Sequence, residues 1–221
     1  MKFDKIVSNP PFSLDKWGAE DLEHDIYGRF EMGLPPKSKG DYAFISHILA
    51  SLNENGTAAI ILPHGALFRA AGEGKIRTQI VEKNWLDAII GLPENLFFGT
   101  PIPTCILLFK KNKKTEDVLF IDASKEFEKD VNQYKLTEEN IKRIIKTYNN
   151  RAEIDKYSHI ATLDEIINKN KCNLNIARYI DMFEEEELID IEQTKVEITK
   201  IENELKKLKS EIEIYTKELG L

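Results

Sequence analysis

Ten residues near the start constrain this chain most: Phe3-Asp4-Lys5-Ile6-Val7-Ser8-Asn9-Pro10-Pro11-Phe12. An apolar run stops abruptly at two prolines. Ile6 and Val7 are β-branched and suit a buried parallel strand. Pro10 and Pro11 have no backbone N–H, so a sheet ladder must end there. Each proline also holds the residue before it extended. The result is a stiff tip at the carboxyl end of a strand, the place where open α/β sheets receive ligands. The tip offers a planar amide (Asn9), a carbonyl no ladder uses (Pro10) and an aromatic face (Phe12). Together these can grip a flat heterocycle bearing an exocyclic amine.

Downstream, strands and helices alternate. Residues 13–40 are irregular, broken by Gly18, Gly28, Gly33, Pro35, Pro36 and Gly40. A loop that long inside a compact domain is usually functional or mobile; its position next to the tip predicts that it walls the same site, and a disordered insert is the alternative. A helix is expected at 41–54, capped by Asp41 and ended by Gly56. A strand follows at 57–62, a helix at 74–84, and strands at 86–92, 104–109 and 118–121. The link 93–103 has no helical pattern, so the third and fourth strands should be antiparallel neighbours. Asn9, Pro63 and Pro93 should then share one rim of an α/β sheet. Beyond residue 124 the chain reads as mostly helical, with helices at 137–148 (Thr137 cap) and 162–169 and a short docked segment at 173–180.

The tail carries a second pattern. Ile191, Thr194, Ile198, Ile201, Leu205, Leu208, Ile212, Tyr215 and Leu219 recur at alternating spacings of 3 and 4. That is a heptad seam with Glu and Lys on its flanks. A helix over 183–221 that pairs with a partner is expected. An amphipathic helix lying on its own domain is the alternative.

Charge separates body from tail. The chain carries −7 overall, of which residues 184–221, with twelve acidic residues and six lysines, hold −6. The remainder, 26 acidic against 25 basic, is nearly neutral and gives no strong electrostatic footprint for nucleic acid. No run reaches the ~18 apolar residues of a membrane span, and no signal-peptide pattern opens the chain. With only Cys105 and Cys172, read as small buried side chains, a reduced, cytoplasmic setting is expected. His24, His47, His64 and His159 are scattered, without metal-ligand spacing. Arg69 and Arg77 suit either phosphate contacts or internal ion pairs.

An adenine fits the tip. Its N6 amine can give one hydrogen to Asn9 Oδ1 and the other to the Pro10 carbonyl. Drawing both hydrogens out of conjugation localises the nitrogen lone pair, which can then attack an electrophilic methyl group. Phe12 can stack on the base. A base inside a duplex would have to be flipped out to reach such a site.

Asn9-Pro10-Pro11-Phe12 after an apolar strand resembles the catalytic motif of S-adenosylmethionine-dependent DNA amino-methyltransferases. The series Asp41-Tyr42-Ala43-Phe44-Ile45, Leu62-Pro63-His64-Gly65-Ala66-Leu67-Phe68-Arg69, Ile90-Gly91-Leu92-Pro93 and Thr100-Pro101-Ile102-Pro103-Thr104 is similar to the modification (M) subunit of type I restriction enzymes. The resemblance covers residues 3 to 180. It implies a partial Rossmann-like methyltransferase sheet over 1–123, a helical extension over 124–182, and a docking helix over 183–221. It also implies N6-adenine methylation of DNA, with Asn9 and Pro10 activating the amine, Pro11 stiffening the tip and Phe12 stacking. The implied cofactor is S-adenosylmethionine, and the implied partners are DNA, a specificity (S) subunit and a restriction (R) subunit.

The family's glycine-rich cofactor loop precedes the Asn-Pro-Pro-Phe strand, and no such loop is found here. Gly72-Glu73-Gly74 has no strand leading into it. The chain therefore reads as a C-terminal portion of an M subunit. It is expected to be inactive alone, and either self-associated or marginally stable because the first strand's edge is open. A non-catalytic assembly module is the rival reading.

Overall fold

The computed structural model describes residues 1–22, 25–131, 133–181 and 191–218. It divides into two compact units, Met1–Met182 and Phe183–Leu221.

The first unit is built on a six-stranded sheet. In chain order the elements are β1 (Phe3–Ser8), α1 (Asp41–Ser51), β2 (Leu52–Pro63), α2 (Ala71–Glu82), β3 (Leu86–Gly91), β4 (Thr104–Lys110), β5 (Asp117–Asp122), a two-residue ribbon β6 (Glu128–Lys129) and β7 (Tyr134–Lys135), α3 (Glu138–Asn150) and β8 (Ser158–Thr162). The sheet order is β1-β2-β4-β3-β5-β8. β1 lies parallel to β2, and β3 to β5, whereas β4 is antiparallel to both β2 and β3. β8 runs antiparallel to β5 at the far edge. Four of the six strands thus point the same way. The helix-free link 93–103 is what lets β4 fold back between β2 and β3.

Burial follows this order. β3 is central and buried at all six positions; its apolar residues suit that place, and its one acid, Asp87, is held by Tyr148 and Arg151. On one face Ile45, Leu49, Ile60, Leu62, Leu67, Ile76 and Phe109 form the main core with α1 and α2. On the other, Ala88, Ile90, Leu119 and Ile121 pack against Ile144 of α3. β1 is parallel, as read, but not buried: Val7 is 87% exposed and Phe3 45%. Among the described residues β1 pairs with β2 alone, so one side of it faces no described strand.

Several boundaries differ from the sequence reading. α1 ends at Ser51, not 54, because Leu52 already turns extended and enters β2. Gly56 is no helix stop. It sits where the β1–β2 register jumps, and a Cβ there would come within 3.1 Å of the Phe3 carbonyl. Asp41 does not cap α1; Gly40 holds that position, and Asp41 is buried in the first turn. α2 starts at Ala71 rather than 74.

α3 carries the expected Thr137 cap, reciprocated by Asn140 in a full capping box. The predicted helix at 162–169 is instead a wide π-turn over Glu165–Lys169, with the Asn170 amide bonding the Glu165 carbonyl at 3.0 Å. The turn buries Ile166 and reverses the chain toward Leu174, whose amide bonds the Leu67 carbonyl at 2.9 Å. The segment beyond docks as read: Ile176 and Ile180 are buried, and Tyr179 stacks on Phe120 at 3.8 Å. Residues 124–182 therefore supply a sheet strand, β8, besides their helices.

The second unit contains one described element, the 28-residue α4 (Ile191–Glu218). Of the heptad positions, Ile198, Ile201, Leu205, Leu208 and Ile212 are 49–62% exposed. The side chains of Ile191, Thr194 and Tyr215, and all of Leu219, lie outside the described residues.

Candidate functional site

β1 delivers the tip. Its last ladder pairing is Ser8 with Ile60, and the backbone then runs free through Asn9-Pro10-Pro11. Asn9 is exposed, Pro10 buried and Phe12 half-buried. Among the described residues, neither the Asn9 amide nor the Pro10 carbonyl has a hydrogen-bond partner. Neither acceptor is taken by a described residue, and Asn9 is open to solvent.

β1, β2 and β3 point the same way, so their carboxyl ends at Ser8, Pro63 and Gly91 share one rim, as expected. There Phe12 meets Phe97 of the 93–103 link edge-to-face, with centroids 5.5 Å apart and planes at 86°. This geometry suits the ring quadrupoles. The link is shaped by a turn in which the Thr100 amide bonds the Phe97 carbonyl, and Gly99 takes φ +77°. That value is reached without strain by glycine. The neighbouring Phe98 is 89% exposed.

The loop 13–40 leaves from the tip and returns to it. The Gly40 amide bonds the Leu14 carbonyl at 2.9 Å, closing the loop's ends together. Trp17 donates its indole N–H to Pro36 and packs on Phe30. Gly40 allows this closure, since a Cβ would crowd the Trp17 ring at 3.2 Å. The described part is thus a compact loop with its own side-chain core. His24 lies outside it.

One ionic cluster ties the parts together. Asp41 is fully buried and accepts the Ser13 amide at 2.8 Å and the Ser13 hydroxyl at 3.3 Å. The Arg69 guanidinium reaches the same carboxylate and also pairs with Glu73, itself 2% exposed. The hydrogen bond to Glu73, then its charge and that of Asp41, hold Arg69 above its ordinary value. Ser13 follows Phe12 directly, so the cluster fixes the tip's far end. Arg69 is therefore an internal ion-pair partner. Arg77 is buried and donates to the carbonyls of Cys172, Ala66 and Arg69, so it too is internal.

Sequence reasoning missed Asp41 and Glu73 as buried acids and Phe97 as the partner of Phe12. The i,i+4 spacing of Arg69 and Glu73 was the available signal. Of the described histidines, only His64 reaches the rim. Its Nε2 lies 2.9 Å from the Thr104 carbonyl. A carbonyl can only accept, so Nε2 carries the proton. Burial holds His64 below its ordinary value. His159 instead faces Glu153 and Glu165, each at 3.1 Å, away from this cluster. Both cysteines are free and buried.

The tip can accept two N–H hydrogens from a flat ligand, with an aromatic wall at its side. No set of described residues is assigned to a nucleotide-like cofactor. Gly72-Glu73-Gly74 lies in the first turn of α2, and a Cβ on Gly72 would already touch Leu34 and Pro36. Gly72 is thus packed against the 13–40 loop rather than open to a ligand.

Residues 1–188 match the profile of a family described as N-6 DNA Methylase. Among curated proteins, the chain is 38% identical over 221 residues to the type I restriction enzyme MjaVII methylase subunit of Methanocaldococcus jannaschii, covering 95% of this chain and 38% of that protein. It is 36% identical to the MpnII methylase subunit of Mycoplasma pneumoniae, covering 95% and 39%. Among solved structures, the type I restriction-modification methyltransferase subunit of Streptococcus thermophilus superposes with a TM-score of 0.78 at 47% identity, covering 82% of this chain and 39% of that one. The chain thus spans about two fifths of the length of these relatives.

Proposed function

Because the chain belongs to the N-6 DNA methylase family, we propose that it supplies the adenine-gripping part of a type I restriction-modification methyltransferase subunit. The observation that carries this reading is the pair of unpartnered acceptors, Asn9 Oδ1 and the Pro10 carbonyl, at the end of β1 beside the Phe12–Phe97 pair. Two acceptors match the two hydrogens of an exocyclic amine. Hydrogen bonds to both disfavour delocalisation of the nitrogen lone pair into the ring and raise its nucleophilicity. Pro10 and Pro11 keep the acceptors extended at no further entropic cost. Phe12 stacks on a base turned out of the duplex. S-adenosylmethionine supplies the methyl group, and no residue of this chain is assigned to hold it.

Partner chemistry follows from the tail. The exposed Ile/Leu stripe of α4 suits docking of a specificity subunit's helix, with the restriction subunit joining the assembled complex. That stripe also favours the second reading, a module that docks its partner and binds no cofactor. Among the described residues no helix is long and apolar enough to cross a membrane.

Two measurements test the reading on the chain itself. Calorimetric titration with S-adenosylmethionine should give no detectable heat, and micromolar affinity would refute the assignment of the cofactor site to other residues. Sedimentation velocity should show self-association through the open side of β1. A cooperatively melting monomer would count against that.

A further inference from the structure

A groove of about 780 Å³ runs between α2 and the 170–178 segment. Lys75, Arg77, Lys171 and Arg178 line it, and among the described residues no acidic side chain does. Arg77 is spent on three backbone carbonyls. The other three cations are exposed, and no described residue pairs with them. The body of this protein carries as many acids as bases within one charge. Among the described residues these three cations face no acid along the groove, a local positive field that an anionic polymer would relieve.

The shape of the groove agrees with its charge. Ala70, Ala71 and Gly74 keep one wall low, while Phe68, 46% exposed, forms an apolar shoulder. Backbone strain also collects there, with Ala71, Lys171 and Cys172 all at φ of 53–55°, and such strain clusters where ligands are held. The groove is wired to the tip by hydrogen bonds. Arg77 bonds the Arg69 carbonyl, Arg69 holds Asp41, and Asp41 holds Ser13 beside Phe12.

We propose that this groove seats the phosphate backbone of duplex DNA, with Lys75, Lys171 and Arg178 each taking one phosphate. The cation pattern alone asks for a polyanion; naming DNA rests on the methyltransferase reading. Because such contacts fix the position of the duplex without reading its sequence, the groove would orient the strand whose base is offered to Asn9.

The test is fluorescence anisotropy of the full chain with a labelled duplex, between about 50 and 200 mM salt. Each neutralised phosphate contributes a log–log slope of about 0.9. The triple variant K75Q/K171Q/R178Q should therefore be shallower than wild type by about three times that, roughly 2.7, and weaker to every sequence alike. The control K129Q/K142Q/K146Q, which removes equal charge elsewhere, should keep the wild-type slope. Circular dichroism confirms folding of both variants. An unchanged slope in the groove variant, an equal loss in the control, or no salt-dependent binding by wild type overturns the proposal. So does polyglutamate that displaces the duplex as well as unlabelled DNA of equal charge does. Binding and methyl transfer are read separately. This chain alone is expected to transfer no methyl group, so methyl transfer is read in a subunit that supplies the cofactor site: an unaltered slope in the groove variant contradicts the groove, and loss of methylation there contradicts only the enzymatic reading.

Discussion

Arg69, just past the end of β2, clasps Asp41 in the first turn of α1, and the same carboxylate accepts the Ser13 amide at 2.8 Å. The ion pair thus does two tasks. It joins the two helical connections on one side of the sheet, and it fixes the residue after Phe12.

Substituting Arg69→Met leaves Asp41 and Glu73 buried without their cation. Loss of one partner of a fully buried pair costs about 3–5 kcal/mol. Arg69 keeps 25% of its side chain exposed, so the cost should fall in the lower part of that range or below. The double variant Asp41→Asn, Arg69→Met should recover part of the loss. Urea unfolding of wild type, Arg69→Met, Asp41→Asn and the double variant measures the coupling, and strict additivity would show that the pair is not coupled.

The Phe12–Phe97 contact should appear as a coupling energy. Edge-to-face pairs contribute about 0.5–1.5 kcal/mol beyond burial. A double-mutant cycle with Phe12→Leu and Phe97→Leu should return a value in that range by chemical denaturation. A value near zero would mean that the link 93–103 does not support the tip.

Much of this arrangement was legible in the residues. Apolar runs stopped by Asn9-Pro10, Pro63 and Pro93 located three strand ends, and the helix-free link 93–103 pointed to the antiparallel pairing of β3 and β4, though not to the place of β4 between β2 and β3. The acceptors and the aromatic face that the proposed chemistry uses were read from residue types alone. What escaped was set by tertiary context. Val7 looks like a core residue, but β1 meets only one neighbour. Ser158–Thr162 is short and polar, and becomes a strand because β5 offers it an edge. Asp41 carries a cap signature, yet the return of the 13–40 loop to Gly40 buries it against Arg69 and Ser13. A long-range ion pair leaves no local trace.

His64 gives the rim a pH response. Its folded-state value is depressed by burial, below the ordinary 6.5. The neutral form is therefore favoured in the fold. The stability it contributes is present above 6.5 and is lost as pH falls through the depressed folded-state value. Thermal melts of wild type and His64→Asn should diverge in slope across that window, with the variant flatter. Parallel profiles would contradict it.

Gly99 is a conformational requirement rather than a packing one. Its φ is +77°, and a Cβ at this position would meet nothing within 4 Å. Gly99→Ala should cost on the order of 1–2 kcal/mol through backbone strain alone and disturb Phe97. Denaturation of the variant checks the magnitude, and a neutral effect would show that the turn relaxes freely.

The most direct test replaces the aligned segment of the Streptococcus thermophilus subunit with this chain. The chimera is incubated with duplex DNA and S-adenosylmethionine, and the DNA is then digested to nucleosides for mass spectrometry. N6-methyldeoxyadenosine should form with the chimera and vanish with its Asn9→Ala variant, while circular dichroism shows both folded. Undiminished N6-methyldeoxyadenosine from the Asn9→Ala chimera would contradict the assignment of amine activation to the tip of β1.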